Sequence, residues 1–255
     1  MFSYISSLLS DPKGTLIFFL LAFPGRIMAI SAHEFAHAWV ANRCGDPTAR
    51  NMGRMTLNPA RHLDLLGTLM MLLLGFGWAR AVPVNPNNFR HGRKDDLKVS
   101  LAGITMNVIL AVLGFLLCAV MMLFAVHHAG LADAVDVGYV MRYAASINTS
   151  LVEQMIGRLP GYIYQMLQYF VYVNVSLAIF NLLPVPPLDG YHVLNDLVLK
   201  RSLFASRQTA RIAMGILFVL MFSGILGNIL SYAVEGVLWA IGYIVMGLFT
   251  LLHLI

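Results

Sequence analysis

His33-Glu34-Phe35-Ala36-His37 ends an apolar run, Leu16 to Ile30, and is followed by Ala38-Trp39-Val40-Ala41. On a helix, two histidines four apart share one face about one turn from each other. That spacing lets two imidazoles hold one metal ion. Glu34, on the flank of the same face, is placed to act as a general base toward water. The setting decides the fold. The pentapeptide interrupts a segment long enough to enter a bilayer, where an ionisable cluster is expensive and reads as functional by default.

The whole chain agrees with that setting. Its 255 residues are 59% hydrophobic and only 11% charged, with a mean hydropathy of +0.75. Soluble domains carry about 25% charged residues, so this composition describes a multi-span membrane protein rather than a globular one. The net charge of +5 would raise nucleic acid in a soluble chain. Here the basic residues cluster between apolar segments, the pattern of membrane topology, and no nucleic-acid partner is expected. The two cysteines, Cys44 and Cys118, lie at different depths and predict no disulfide. No cleavable signal peptide is expected, because the first residues lack a basic start.

The expected architecture is an all-α polytopic membrane protein of about 4–6 spans. A weakly amphipathic lead-in, Met1 to Gly14, precedes a first span over about Thr15 to Ala41, kinked at Pro24-Gly25. Arg26 lies two turns before His33 and must face protein or water. A basic segment follows, and then Leu63 to Trp78, apolar but too short for a comfortable crossing. Bounded by Gly75, Gly77 and Arg80-Ala81-Val82-Pro83-Val84-Asn85-Pro86, it suits a re-entrant segment with room for a short β-hairpin at Val82 and Val84. Asp64 is expected to cap or anchor that piece. Further spans are expected over about Val99 to Val126, Tyr162 to Leu183 and Ile212 to Tyr232, with a final apolar stretch from Val234 to Ile255. His127 to Leu159 reads as a loop with amphipathic helical pieces. One integral-membrane domain is expected over residues 1–255, its core at 15–200 and its last helices at 208–255.

Stretches 42–98 and 200–211, the latter opening Lys200-Arg201, hold thirteen of the seventeen lysines and arginines. The loop 127–159 holds two, beside three acids. The positive-inside rule makes the first two stretches cytoplasmic and the loop external. His33 and His37 then lie toward the cytoplasmic end of the first span, and the span that leads to Asp189 finishes on the same side. The expected location is the cytoplasmic membrane, with the site toward the cytoplasm.

Two histidines leave a zinc centre short of a third protein ligand. In the soluble pattern the third is a histidine six residues beyond the second, after a glycine. Arg43 and Val40 stand at those positions. The downstream glutamates, Glu153 and Glu235, fall at the wrong depth. Asp189 follows the Pro-rich Leu183-Pro184-Val185-Pro186-Pro187-Leu188, at the right level. Such irregular backbone is tolerated at membrane depth only where it lines a cavity. His62, His91 and His192 read as interfacial or cytoplasmic, with His192 the fallback ligand. Asn107 and Asn181 either bond across helices or contact a substrate backbone.

The pentapeptide together with Asn181-Leu182-Leu183-Pro184-Val185-Pro186-Pro187-Leu188-Asp189-Gly190 resembles the site-2 protease family of intramembrane zinc metalloproteases. Gly53-Arg54-Met55-Thr56-Leu57-Asn58-Pro59, Gly77 through Pro86, and Leu101-Ala102-Gly103 through Asn107 resemble its small bacterial branch, without PDZ or CBS modules. Ile104 departs from that pattern, which usually has proline there. The similarity covers about residues 15–200. It implies one zinc per chain on His33, His37 and Asp189, with Glu34 as general base and then proton donor to the leaving amine. Asn181 and Asn107 would steady the substrate, and the segment from Gly53 to Pro86 would offer an edge to an extended peptide. It further implies transmembrane protein substrates within the lipid bilayer. The competing class is a membrane zinc-binding or zinc-transport protein. The spare carboxylate of Glu34 and the lack of internal repeats weigh against it.

Overall fold

A computed structural model describes residues 9–74, 77–200 and 206–252. Residues 1–8, Gly75, Arg201 and residues 253–255, all within stretches named above, lie outside the described residues. The fold is all-α and polytopic. Its helices are α1 (Pro12–Cys44), α2 (Thr48–Asn51), α3 (Leu65–Leu74), α4 (Arg93–His128), α5 (Val137–Arg142), α6 (Thr149–Ile156), α7 (Arg158–Asn181), α8 (Asp189–Leu194), α9 (Arg207–Phe222) and α10 (Ile225–Leu251). Four of them, α1, α4, α7 and α10, are long and apolar enough to cross a membrane. Helices suit that solvent because each backbone N–H and C=O is satisfied within the segment.

Helix α1 starts on a built cap. Asp11 accepts from the Gly14 N–H, and Pro12 occupies the first turn, where no N–H is missed. The helix runs from Pro12 through Pro24 to Cys44 without a break, about 50 Å at 1.5 Å per residue. That exceeds the hydrocarbon core of a bilayer by several turns. Along α4, Leu113, Leu117, Val120 and Phe124 form an exposed stripe, while Ala111, Phe115, Cys118 and Met122 are buried against the other helices. Lipid takes the first stripe, and the close-packed interior takes the second. Alanines at 29, 38, 41, 111 and 119 are fully buried, so α1 and α4 approach their neighbours closely. The main apolar core joins α4 and α7 to α5, α6 and α10 through Phe115, Met122, Met141, Tyr164, Val171 and Val245.

Two expectations change and others hold. Helix α3 spans ten residues, about 15 Å and too short to cross. Asp64 caps it by accepting from the Gly67 N–H at 2.8 Å, as expected. The room for a β-hairpin closes to one isolated antiparallel bridge among the described residues, Leu63 with Ala79. The expected span Ile212 to Tyr232 is divided. Helix α9 stops at Phe222, Gly224 turns in the left-handed region at φ 80°, and α10 begins at Ile225. Apolar content alone did not reveal that Ser223-Gly224 ends one helix and starts another. Both cysteines are unpaired and buried.

Candidate active site

His33, Glu34 and His37 lie on the C-terminal half of α1 and are buried, at 7%, 8% and 7% exposed. Asp189 is the first residue of α8. What brings it to the histidines is Gly190. A Cβ at that position would lie 2.2 Å from the Leu182 carbonyl oxygen, so only glycine lets α8 fold back against the end of α7. The Nε2 atoms of His33 and His37 are 3.0 Å apart, and Asp189 Oδ2 is 3.3 Å from each. The cluster therefore joins the two residues of the pentapeptide to the aspartate picked out by elimination. The fallback ligand His192 lies elsewhere, with its Nδ1 3.1 Å from Asp96 Oδ2. His62 is fully buried, its Nε2 bonded to the Thr56 carbonyl at 2.6 Å.

The hydrogen bonds behind the cluster fix its chemistry. The Val99 carbonyl can only accept, so His37 Nδ1, 2.7 Å away, carries the proton. The same holds for His33 by a longer chain. Asn174 donates to the Phe170 carbonyl at 2.8 Å, which turns its amide oxygen toward Asn107. Asn107 donates to that oxygen at 2.9 Å and to the Ala29 carbonyl at 3.3 Å. Its own oxygen is left for His33 Nδ1–H at 2.7 Å. In neutral imidazoles both Nε2 atoms then bear lone pairs. Two lone pairs at 3.0 Å and a carboxylate oxygen beside them, which has no hydrogen-bond partner although buried, repel unless a cation sits between them. Two nitrogens and one oxygen match a three-ligand zinc centre with an open fourth position, with each imidazole oriented by a partner on its other nitrogen. Gly103 completes the cradle: a Cβ there would fall 2.5 Å from His33 Cε1 and from His37 Nε2.

Glu34 lies outside this donor set. Its Oε2 accepts from the Val82 N–H at 2.7 Å, so the extended chain after α3 holds the carboxylate beside the metal ligands. Asn107 is fully buried, and its amide is committed to His33, Ala29 and Asn174. Asn181 is half-buried, and its amide nitrogen donates to the Leu177 carbonyl of its own helix at 3.0 Å. Ile104 lies well inside α4, which begins at Arg93, so the missing proline leaves that helix regular. Sequence reading missed Asn174, whose signal was a polar residue in an apolar helix seven positions before Asn181. It also missed the Val99 carbonyl and the Val82 N–H, which as main-chain atoms leave no signal. Arg26 lines an apolar groove of about 780 Å³ with Phe18, Met71, Tyr172 and Phe180, which extends to Ile30, just before His33.

A three-donor metal centre with a spare carboxylate, enclosed by membrane-spanning helices, defines a polytopic metalloprotein. The model of Peptidase family M50 matches residues 19–224, and the chain belongs to that family, the site-2 proteases. It is similar to the "Putative zinc metalloprotease YwhC" of Bacillus subtilis (strain 168), 41% identical over 172 residues, 68% of this chain and 66% of the relative. It is also similar to the "Putative zinc metalloprotease Rip2" of Mycobacterium tuberculosis (strain ATCC 25618 / H37Rv), 29% identical over 209 residues, 79% of this chain and 67% of the relative. The chain thus spans about two thirds of the length of these relatives. No solved structure matches it significantly.

Proposed function

We propose that the protein is an intramembrane zinc endopeptidase that hydrolyses peptide bonds in or near transmembrane segments of other membrane proteins. The observation that carries this reading is the convergence of His33 Nε2, His37 Nε2 and Asp189 Oδ2 within 3.3 Å, with the Glu34 carboxylate free of that set. The family and the names of its relatives support zinc as the ion, one per chain, held by His33, His37 and Asp189. When bound, zinc supplies a Lewis acid that activates water and polarises a scissile carbonyl near neutral pH. Glu34 accepts the proton of the attacking water at its carboxylate and returns it to the leaving amine. Asn107 and Val99 keep the Nδ1 protons in place, so both Nε2 atoms remain donors to the metal.

A substrate helix has its carbonyls locked in hydrogen bonds and must unwind before attack. The extended segment around Val82 and the half-buried amide of Asn181 are suited to steady an unwound chain. The groove along α1 is a route by which such a segment reaches the site. The distribution of basic residues supports a cytoplasmic-membrane protein with its site toward the cytoplasm, and we read residues 1–255 as one protease domain. Glu34→Gln is the direct test. Zinc should stay at one per chain while cleavage of a single-span model substrate in proteoliposomes disappears. Cleavage that survived would remove Glu34 as the base, and metal uptake into vesicles that depended on His33 would favour transport instead.

A further inference from the structure

Arg54 is a buried cation, 6% exposed, that the chemistry above does not use. A buried guanidinium is costly unless its charge and donors are met. This one is spent on main chain. Its Nη2 donates to the Arg80 carbonyl at 2.6 Å and reaches the Ala81 carbonyl at 3.4 Å, while its buried Nε has no partner. Burial holds the guanidinium below its ordinary range, Arg80 and Arg61 add to that effect, and Glu34 is the acid whose field opposes it. The Ala81 carbonyl and the Val82 N–H belong to one peptide plane. That plane faces Arg54 with its oxygen and donates to Glu34 Oε2 with its nitrogen. In a trans peptide the two ends point oppositely, so the strand is gripped between the cation and the carboxylate. The Arg80 N–H, bonded to the His62 carbonyl at 2.8 Å, fixes the residue before it.

We propose that Arg54 is a positioning residue for Glu34, acting through the Arg80–Val82 main chain. The clamp keeps the Val82 N–H directed at Oε2 and so holds the carboxylate at the angle from which it takes a proton. This rests on the reading of Glu34 as the base. Loss of the Nη2 donor removes no hydrogen bond of the metal ligands, whose imidazoles are held by Asn107 and the Val99 carbonyl.

The test uses the full chain in proteoliposomes with a single-span substrate. Arg54→Gln should lower kcat by about 10–100-fold, the usual cost of losing a partner that orients a functional group. KM should stay within about twofold, and zinc at one per chain. Amide hydrogen exchange over residues 79–85 should rise in the same variant. Arg54→Lys, which keeps the charge but lacks the Nη2 atom and its planar geometry, should not restore kcat. Val82→Pro deletes the N–H itself, and the double variant should fall no further than Val82→Pro alone. Additive losses, wild-type kcat in Arg54→Gln or Arg54→Lys, a raised KM with intact kcat, or lost zinc would each overturn the proposal. A wild-type protein that never cleaves, with raised exchange still seen in Arg54→Gln, would instead overturn the protease reading and leave the clamp standing.

Discussion

Two clusters of aspartate and histidine lie close together near the start of α8, and they are built differently. His33, His37 and Asp189 come together at a buried point. Asp96 from the start of α4, His192 of α8 and Asp196, just past the end of α8, form the second group, with His192 exposed. Both groups have donor atoms close enough for one cation. In the first, every imidazole has its Nδ1 proton committed to an acceptor, so the lone pairs point at one another. In the second, His192 Nδ1 is itself turned to Asp96 at 3.1 Å. There the donor's proton meets the Asp96 carboxylate without an ion, and only a buried Asp196 oxygen is left without a hydrogen-bond partner. A set of ligand-type residues becomes a metal centre when hydrogen bonds behind it leave the lone pairs with nothing else to meet.

The sharpest way to break this comparison is to exchange the two aspartates for amides. Asp189→Asn should abolish stoichiometric zinc, measured by metal analysis of purified protein, and with it proteolysis. Asp196→Asn should leave zinc at one per chain. A second zinc in the wild type, removed by Asp196→Asn, would make the two clusters equivalent and sink the distinction.

A smaller effect is expected one bond further back. Asn174→Leu removes the acceptor that orients the Asn107 amide, so Asn107 can flip and offer its nitrogen to His33. Zinc affinity should fall by about 10–100-fold, read by competition with a chromophoric chelator, while the fold persists. Asn174→Asp keeps an acceptor toward Asn107 and should retain most of the affinity. If Asn174→Leu bound zinc like the wild type, the orientation of His33 would not depend on this chain of amides.

The sequence revealed some of this directly. The His33–His37 spacing fixes two ligands on any helix, and the cost of ionisable groups in lipid made them functional before any fold was known. Asp189 followed from depth and elimination. Asn107 was noticed as polar in an apolar span, yet whether it met a substrate or a ligand depended on which helix lay opposite. The answer, His33, lies 74 positions away. Val82 and Val99 act through main-chain atoms, whose role no side chain encodes. Arg54 looked like one of many loop cations counted for topology, and only its burial against Arg80 and Ala81 sets it apart. The C-terminal break at Ser223-Gly224 was hidden because one continuous apolar run can form one span or the two arms of a hairpin.

The smallest predicted effect concerns the second cluster's own protons. Burial pushes the Asp196 carboxyl up to about 6, and a hydrogen bond with Asp96 and that neighbour's charge add to the shift, while His192 and Arg93 oppose it. A carboxyl raised above its unfolded value binds a proton more readily in the folded protein. Its contribution to stability is therefore complete below the unfolded value near 4 and is lost as pH rises through about 6. His192, raised mainly by its hydrogen bond to Asp96, has the same sign of dependence. Asp196→Asn removes the charge that is poorly tolerated at high pH. The variant should therefore melt slightly above the wild type at pH 8, with the difference shrinking toward pH 4, in thermal melts of zinc-loaded protein. A zinc ion at this cluster would reverse the expectation, because the ionised carboxylate would then be the stabilised form and Asp196→Asn would melt lower at pH 8.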